Sequence, residues 1–231
     1  MIAENLRRSV LSAAVTGQLF NNTPGSLHVQ PLLIPGQETT PCIPETWQIV
    51  RLGEMAVYIQ RGKSPKYSDF SPYLAISQKC VQWNMFDVDK ARRYDKETFE
   101  ALPSQRRLKA GDLLWNSTGT GTVGRARVLT EADITSNPKM AADSHVTVIR
   151  CGETLEPEFL QLYISSSLIQ DAMPDLVSGT TKQKELNLAT IKQLNVPVPP
   201  LETQMDIIRG LKQLLPLIDR LAELERERER I

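Results

Sequence analysis

The sequence contains few of the residues that build disulfide-bonded, metal-binding or histidine-dependent sites. Its three cysteines, Cys42, Cys80 and Cys151, are odd in number and far apart, and no two form a CxxC pair. This pattern predicts neither a disulfide framework nor a zinc site. Only two histidines are present, His28 and His145, so the sequence can supply neither an HExxH metal site nor an obvious catalytic triad. A reducing, cytoplasmic setting fits this composition best.

Long hydrophobic runs are missing as well. No stretch of 18 apolar residues exists, and residues 1–19 lack the continuous apolar segment of a signal peptide. These absences argue against a membrane protein and against export. With 231 residues and 41% hydrophobic side chains, the chain is still long and apolar enough for one or two domains with a core.

No arrangement of side chains predicts catalytic residues, a bound cofactor or a metal site. None of the 11 lysines follows an Asp or Glu by two residues, a spacing that metal-dependent nucleases commonly need. Gly119, Gly121 and Gly124 form a GxGxxG pattern after a predicted strand, but the next run, residues 125–129, looks like another strand. A dinucleotide site requires a helix there, so the pattern predicts a glycine-rich hairpin turn. His145 is expected to be a packed or surface histidine, and the chain a binding protein.

Hydrophobic periodicity predicts an α+β fold with a long helix. Short strands are expected at residues 47–52, 57–60, 73–77, 113–117, 124–129 and 146–150, and helices at 96–102 and 157–173. Irregularly spaced strands with a few helices favour α+β over a repeated βαβ array. The predicted segments are a short helix at 1–20, a proline-rich linker at 21–43, a globular domain of mixed short strands and helices at 44–200, and a long helix at 201–231.

The long helix carries a heptad seam. Its members recur at alternating spacings of four and three residues, the pattern of helices that wind around each other. They are Ile207, Leu211, Leu214, Ile218 and Leu221. These residues are predicted to form a helix interface, and the charged stretch that follows them is predicted to be solvated. Helices of such length usually space or join parts of an assembly.

The net charge is zero but unevenly distributed. Residues 1–50 sum to −1, residues 51–150 to +5 and residues 151–231 to −4. The basic middle is compatible with attraction to a polyanion or with chance variation. Basic side chains in predicted loops are candidates for phosphate contacts. They are Arg61, Lys63, Lys66, Lys79, Arg92, Arg93, Arg106 and Lys182. Gln82, Trp83 and Asn84 are candidates for contacts with base edges, because amides pair bidentately with adenine.

Several segments resemble the specificity subunits of type I restriction-modification systems. Residues 43–47, IPETW, resemble the Leu-Pro-x-Gly-Trp sequence that opens the recognition domain of that family. Residues 111–114, GDLL, resemble its Gly-Asp-Ile-Leu strand. Residues 194–208, LNVPVPPLETQMDII, resemble its Pro-x-Pro-Pro-Leu-x-Glu-Gln-x-x-Ile signature, with Thr203 where glutamate is usual. Residues 6–19 are similar to a segment that ordinarily ends a conserved helix.

The resemblance implies one target-recognition domain with its adjoining helices, either a half-subunit or a fragment. In this family the specificity subunit is not catalytic. Each recognition domain binds one half of a split double-stranded DNA target, and long antiparallel helices set the gap between the halves. The same helices bind methyltransferase subunits, through which restriction subunits join. The resemblance also leaves open a homodimer through the helices. The alternative is a coiled-coil interaction scaffold that retains a degenerate recognition domain.

Overall fold

A computed structural model of the protein describes residues 2–20, 28–36, 40–180 and 183–228. The fold is α+β, as predicted, and includes the long predicted helix. The helices are α1 (Ile2–Val15), α2 (Leu52–Met55), α3 (Lys96–Glu100), α4 (Glu131–Ser136), α5 (Pro157–Ser165), α6 (Ser167–Leu176), α7 (Leu188–Gln193) and α8 (Leu201–Arg228). The strands are β1 (Val29–Pro31), β2 (Cys42–Pro44), β3 (Gln48–Arg51), β4 (Ala56–Arg61), β5 (Tyr73–Ile76), β6 (Arg92–Tyr94), β7 (Leu113–Asn116), β8 (Ala126–Val128), β9 (Met140–Ala142), β10 (Val146–Cys151), β11 (Ser178–Thr180), β12 (Gln183–Glu185) and β13 (Asn195–Val198). None of the described helices is long and apolar enough to span a membrane.

The chain divides into two compact units. The helix unit consists of Met1–Val50, Thr154–Ala172 and Asn195–Ile231, and the sheet unit of Arg51–Glu153 and Met173–Leu194. The predicted globular segment, residues 44–200, contributes to both units.

Helices α1 and α8 of the helix unit run antiparallel. At one end of the pair the backbone N–H of Ile2 donates to Glu225 Oε1 at 3.1 Å. At the other end the ring of Phe20 lies against Gly210, where an added Cβ would come within 2.6 Å of the ring. Helix α5 packs against both α1 and α8. The apolar stripe of α8 therefore has partners within its own chain.

A buried glutamine fixes the start of α8. Gln204 is 0% exposed, and its Oε1 accepts a hydrogen bond from the Glu156 N–H at 2.8 Å. Its Nε2 donates to Thr154 O at 3.0 Å and to Pro199 O at 2.8 Å. Because the buried amide has hydrogen-bond partners for both its oxygen and its nitrogen, little is lost by its removal from water. The first turn of α8 is thereby connected to the chain that enters α5.

Part of the proline-rich stretch 21–43 forms a β-hairpin. Strand β1 pairs antiparallel with β2, with Val29 opposite Pro44. Leu32 and Ile43 are both 0% exposed. The side chain of Gln30 donates to the backbone oxygen of residue 47 at 2.6 Å. The described part of this stretch is therefore packed.

The predicted helix at 157–173 is two helices, α5 and α6. Between them Ser166 is extended, with φ −70° and ψ 159°. Its buried hydroxyl donates to Tyr163 O at 2.7 Å. A serine hydroxyl that takes a backbone acceptor competes with the helical hydrogen-bond pattern and favours a helix end. Hydrophobic spacing does not reveal this break because apolar residues continue on both sides of it.

Two sheets form the centre of the sheet unit. One is antiparallel with strand order β4-β10-β7-β8, and the other has the order β6-β5-β9. Strand β5 runs antiparallel to β6 and parallel to β9. Leu114, Met140 and Val148 belong to one hydrophobic cluster, and another cluster contains the stacked rings of Tyr73 and Phe99. Hairpin β11-β12 completes this unit. Strands β3 and β13 form a separate two-stranded sheet.

Candidate nucleic-acid interface

The polar loops of the sheet unit meet at one end of its two sheets. Strands β4 and β7 end there and β8 and β10 begin there, since neighbouring strands in this sheet are antiparallel. The parallel strands β5 and β9 also end there, and the Asp143 N–H donates to Ile76 O at 2.9 Å. We call residues 62–64, 77–85, 117–125 and 143–145 the loop end.

A glycine places the first loop of the loop end. A Cβ on Gly62 would lie 2.2 Å from the carbonyl oxygens of both residues 142 and 143, so no larger residue fits without a backbone shift. The next residues, Lys63 and Ser64, are thereby held near the loop 143–145, where Ser64 Oγ donates to Ser144 Oγ at 3.1 Å.

Two of the predicted cations lie on one groove. Lys63, Ser64 and Lys66 line a depression of about 460 Å³ whose lining also includes Glu97 of α3. Lys63 shares a smaller adjoining pocket with Arg106. We call this surface the basic groove. Lys63 and Lys66 are exposed, and neither forms an ion pair within the described ranges. Their charges are therefore available to an anionic ligand.

Two more predicted cations lie on β6 beside the loop that carries Lys66. The guanidinium carbon of Arg92 lies 3.4 Å from the centroid of the Tyr67 ring. This cation–π contact fixes the orientation of Arg92, and no carboxylate of the described residues forms an ion pair with it. Arg93 donates from Nη1 to Ser71 O at 2.7 Å. Both arginines are exposed, and both have fixed orientations before any ligand binds.

The other predicted cations among the described residues differ in what they contact. Arg61 Nη1 lies 2.5 Å from Glu185 Oε1, so this guanidinium is neutralised within the chain. Arg106 Nη1 donates to the backbone oxygen of Arg61 at 3.0 Å. Lys79 is exposed on the loop 77–85. Lys182 lies outside the described residues.

A buried carboxylate lies at the loop end. Burial raises the pKa of Asp143 above its ordinary value, while the His145 backbone N–H, which donates to Asp143 Oδ1 at 2.8 Å, acts in the opposite direction. The exposed imidazole of His145 has its Nδ1 2.5 Å from Thr118 Oγ1, so it is a surface histidine, one of the two placements predicted. Over the described ranges, no three His, Cys, Asp or Glu side chains group in a way that could hold a metal ion.

The GxGxxG pattern is a hairpin turn, as predicted. Gly119, Gly121 and Gly124 have φ values of +106°, +78° and +93°, in the region that favours glycine. They connect the antiparallel strands β7 and β8. A strand follows the third glycine, so no helix N-terminus is available for a pyrophosphate.

Gln82 is not free to contact a base edge. Its Nε2 donates to Lys79 O at 2.6 Å, and its Oε1 accepts from Arg125 Nη1 at 2.5 Å. Arg125 is not among the predicted site residues, although its position directly after the glycine turn was a usable signal. Its Nη2 also donates to Gly121 O at 2.8 Å, so it connects two loops of the loop end.

The five predicted interface residues lie in the helix unit on α8. Ile207, Leu211 and Ile218 are 2%, 1% and 3% exposed, and Leu214 and Leu221 are partly buried. Within this chain α8 packs on α1 and α5, so part of the seam is already covered.

Comparisons with known proteins agree along the chain. The family model of the type I restriction modification DNA specificity domain matches residues 44–229. The specificity subunit of the type I restriction enzyme EcoBI from Escherichia coli is 25% identical over 230 residues, which are 94% of this chain and 44% of that protein. The specificity subunit of MjaVIII from Methanocaldococcus jannaschii is 28% identical over 197 residues, 82% of this chain and 43% of that protein. The chain thus spans less than half the length of these two relatives.

Solved structures share the fold. The HsdS subunit from Thermoanaerobacter tengcongensis superimposes with a TM-score of 0.62 at 21% identity, over 96% of this chain and 46% of that one. A chain from a study of assembly and conformational transition of the type I R-M system gives 0.60 at 20% identity, over 99% and 51%. At these identities the likeness establishes the fold alone.

Proposed function

Because the chain belongs to the family of type I restriction modification DNA specificity domains, we propose that it binds double-stranded DNA in a sequence-specific way. It acts as a non-catalytic recognition component that directs the methyltransferase and restriction subunits of a type I complex to a split target. Its sheet unit contacts the DNA, and its helix unit contacts other subunits.

The observation that carries this proposal is the basic groove. Lys63 and Lys66 are exposed there without a carboxylate within ion-pair distance in the part of the chain that the structure describes. When unpaired lysines neutralise DNA phosphates, the counterions condensed on the DNA are released. This release supplies much of the affinity of DNA-binding proteins. A binding surface for a polyanion needs such unpaired charge.

The predicted cations take different roles in this proposal. Lys63, Lys66, Lys79 and Arg92 contact phosphates directly. Arg93 and Arg106 are held by backbone carbonyls and lie at the edge of this surface. Lys182 is retained as a phosphate contact on its charge alone. Arg61 stabilises the neighbouring hairpin through Glu185.

A second copy of the chain is the proposed source of the other half-site. The chain covers 44% and 43% of two specificity subunits that it resembles, so two copies approach one full length. A symmetric pair of recognition units joined through α8 helices binds two halves of a target at a fixed separation. Partly buried Leu214 and Leu221 extend the apolar seam available for this contact.

DNA binding is tested by the salt dependence of affinity for a duplex of random sequence. Fluorescence anisotropy at about 50 to 200 mM salt gives the slope of the logarithm of the binding constant against the logarithm of the salt concentration. This slope should become shallower by about 0.9 for each phosphate contact removed. The variant Lys63→Glu/Lys66→Glu should bind more weakly with a shallower slope. Its matched control is Arg209→Glu/Arg220→Glu, which makes the same change in net charge on exposed residues of α8. Equal affinities and slopes for the two variants would contradict the proposal.

The homodimer has its own measurement. Light scattering at micromolar concentration should give twice the mass of 25.9 kDa. Leu214→Asp places a charge on the seam and should give the monomer mass. A monomer for the unsubstituted chain would contradict the dimer and leave DNA binding to be decided by the salt experiment.

A further inference from the structure

One turn at the loop end has a buried base and an exposed tip. Val81 and Phe86 form an antiparallel bridge, and the Gln82 N–H donates to Met85 O at 3.1 Å. Val81 is 0% exposed in the hydrophobic cluster of Leu114, Met140 and Val148, and Phe86 packs against the same cluster. Two residues, 83 and 84, remain at the tip. The tip thus projects from a base that the core holds in place.

Side chains from β7 and from the loop that follows it brace this turn. Arg125 donates to Gln82 Oε1 at 2.5 Å and to Gly121 O at 2.8 Å. The buried amide of Asn116 donates to Val81 O at 3.3 Å. These contacts satisfy polar groups of the turn within the chain and restrict its motion. A loop held in its binding conformation loses less entropy when it meets a ligand.

The two residues at the tip have the chemistry of a base contact. Trp83 is 45% exposed, and Asn84 is exposed with no hydrogen bond to any residue in the described ranges. An asparagine amide matches the N6 and N7 edge of adenine, and an apolar surface matches the methyl group of thymine. Both features belong to a single A·T pair, and both face the major groove. Adjacent residues in one turn can therefore contact both bases of one pair.

A phosphate contact lies in the same loop. Lys79 is exposed, and its backbone oxygen accepts the hydrogen bond from Gln82 Nε2 at 2.6 Å. The loop thus carries a cation for the backbone, which sets position, next to side chains for the base edges, which set sequence.

We propose that the turn Gln82–Met85 reads one A·T base pair of the target through the major groove. Asn84 contacts the adenine edge, Trp83 contacts the thymine methyl group, and Arg125 is a positioning residue that fixes the turn. This inference rests on the proposed function and identifies residues that determine specificity within it.

The test is selection of bound duplexes from a random library by the full chain, followed by sequencing. The unsubstituted chain should enrich a sequence that contains a fixed A·T pair. The variant Asn84→Ala should no longer select that pair but should still select the other positions. The affinity for the enriched duplex should fall about 5- to 150-fold for Asn84→Ala, the range expected for one bidentate base contact. Trp83→Ala should weaken discrimination at the same pair. The control is Phe70→Ala, because Phe70 is 97% exposed outside the loop end and should leave the enriched sequence unchanged.

The outcomes separate this inference from the function on which it rests. If the unsubstituted chain enriches no sequence, the proposed function fails and the inference with it. If it enriches a sequence that Asn84→Ala and Trp83→Ala enrich identically, only the inference fails. Thermal melting shows that each variant is folded before selection.

Arg125 is tested at the same base pair. Arg125→Met should lose selectivity for that pair alone, and combining it with Asn84→Ala should cause no further loss there. Arg125→Lys, which keeps a positively charged donor group but not the planar guanidinium, should restore part of the selectivity. A uniform loss of selectivity at all positions with Arg125→Met would indicate a general structural role and overturn its assignment as a positioning residue.

Discussion

The helix unit and the sheet unit use their charged side chains in opposite ways. The helix unit contains 8 basic and 13 acidic residues, a net charge of −5, and the sheet unit contains 19 and 14, a net charge of +5. Of the seven ion pairs formed among described residues, five lie in the helix unit. The helix unit, which has fewer basic residues, therefore pairs most of its basic residues with carboxylates.

This difference indicates what each surface is for. In the helix unit, cations such as Arg8 and Lys212 pair with carboxylates on other helices, Asp171 and Glu158. These pairs complement the helix packing. In the sheet unit, exposed lysines at the loop end and the basic groove have no such partners where the structure describes them. Charge that is left unpaired costs little in water and becomes useful only when an anion binds.

The largest effect should come from the buried ion pair of the sheet unit. Arg150 Nε lies 2.7 Å from Asp112 Oδ1, and the Asp112 side chain is 0% exposed. Arg150→Met leaves a buried carboxylate without its cation, so the free energy of unfolding should fall by about 3–5 kcal/mol. Urea denaturation measures this change, with Lys90→Met, an exposed cation of the same unit, as the control expected to stay within about 0.5 kcal/mol. A loss below about 1 kcal/mol would show that even this pair resembles those of the helix unit.

The next effect tests the apolar seam of the helix unit. Leu211 is 1% exposed and Leu217 is 68% exposed on the same helix. Leu211→Ala should lower the free energy of unfolding by about 2–5 kcal/mol because it removes buried methyl groups and leaves a cavity. Leu217→Ala should change it by about 0.5 kcal/mol or less. Similar losses for both variants would mean that packing on α1 and α5 does not hold α8.

A smaller effect of opposite sign is expected at Asp143. Burial raises the pKa of this carboxyl, so the folded state binds its proton more tightly than the unfolded state does. The charged form of Asp143 therefore lowers the free energy of unfolding at pH 7. This loss decreases as the pH falls through the raised pKa. Asp143→Asn, which keeps the acceptor for the His145 N–H, should be more stable than the unsubstituted chain at pH 7.

That advantage should shrink as the pH falls through the raised pKa towards the ordinary value for aspartate. Urea denaturation at several pH values measures it, and Asp89→Asn on an exposed carboxylate is the control. A difference independent of pH would exclude titration of Asp143 as its cause.

The smallest effect concerns the exposed pairs of the helix unit. Arg7 Nη1 lies 2.6 Å from Asp219 Oδ1, with side-chain exposures of 38% and 64%. A double-mutant cycle with Arg7→Ala and Asp219→Ala should give a coupling free energy of about 0–1 kcal/mol that decreases with added salt. A coupling free energy as large as the stability loss expected for Arg150→Met would remove the distinction between the two units.

Elements with a clear hydrophobic pattern could be predicted from the sequence, and several short elements without one could not. Strands β4, β5, β7, β8 and β10 and helices α3 and α8 occur near their predicted positions. Strands β6 and β9 have three residues each, too few to show a period, and they form because β5 supplies partners on both sides. Pairing with a distant strand leaves no local signal in the sequence.

The candidate site divides in a similar way. Charge and loop position were enough to propose Lys63 and Lys66, because lysines in loops are seldom buried. Gln82 and Arg61 carry the same residue-level signal, yet their polar groups are used by Arg125 and Glu185. Which polar side chain is consumed within the chain depends on contacts between loops far apart in sequence.

The antiparallel packing of α1 on α8 has a consequence for synthesis of the chain. Helix α1 (Ile2–Val15) leaves the ribosome long before α8 (Leu201–Arg228), and at about 5–20 residues per second the interval is on the order of 10 to 40 s. Helix α1, whose Leu11, Ala14 and Val15 are buried in the folded chain, lacks its α8 partner during that time. The sheet unit is translated within the same interval, so it can fold first. We therefore expect the helix unit to complete its packing after the sheet unit.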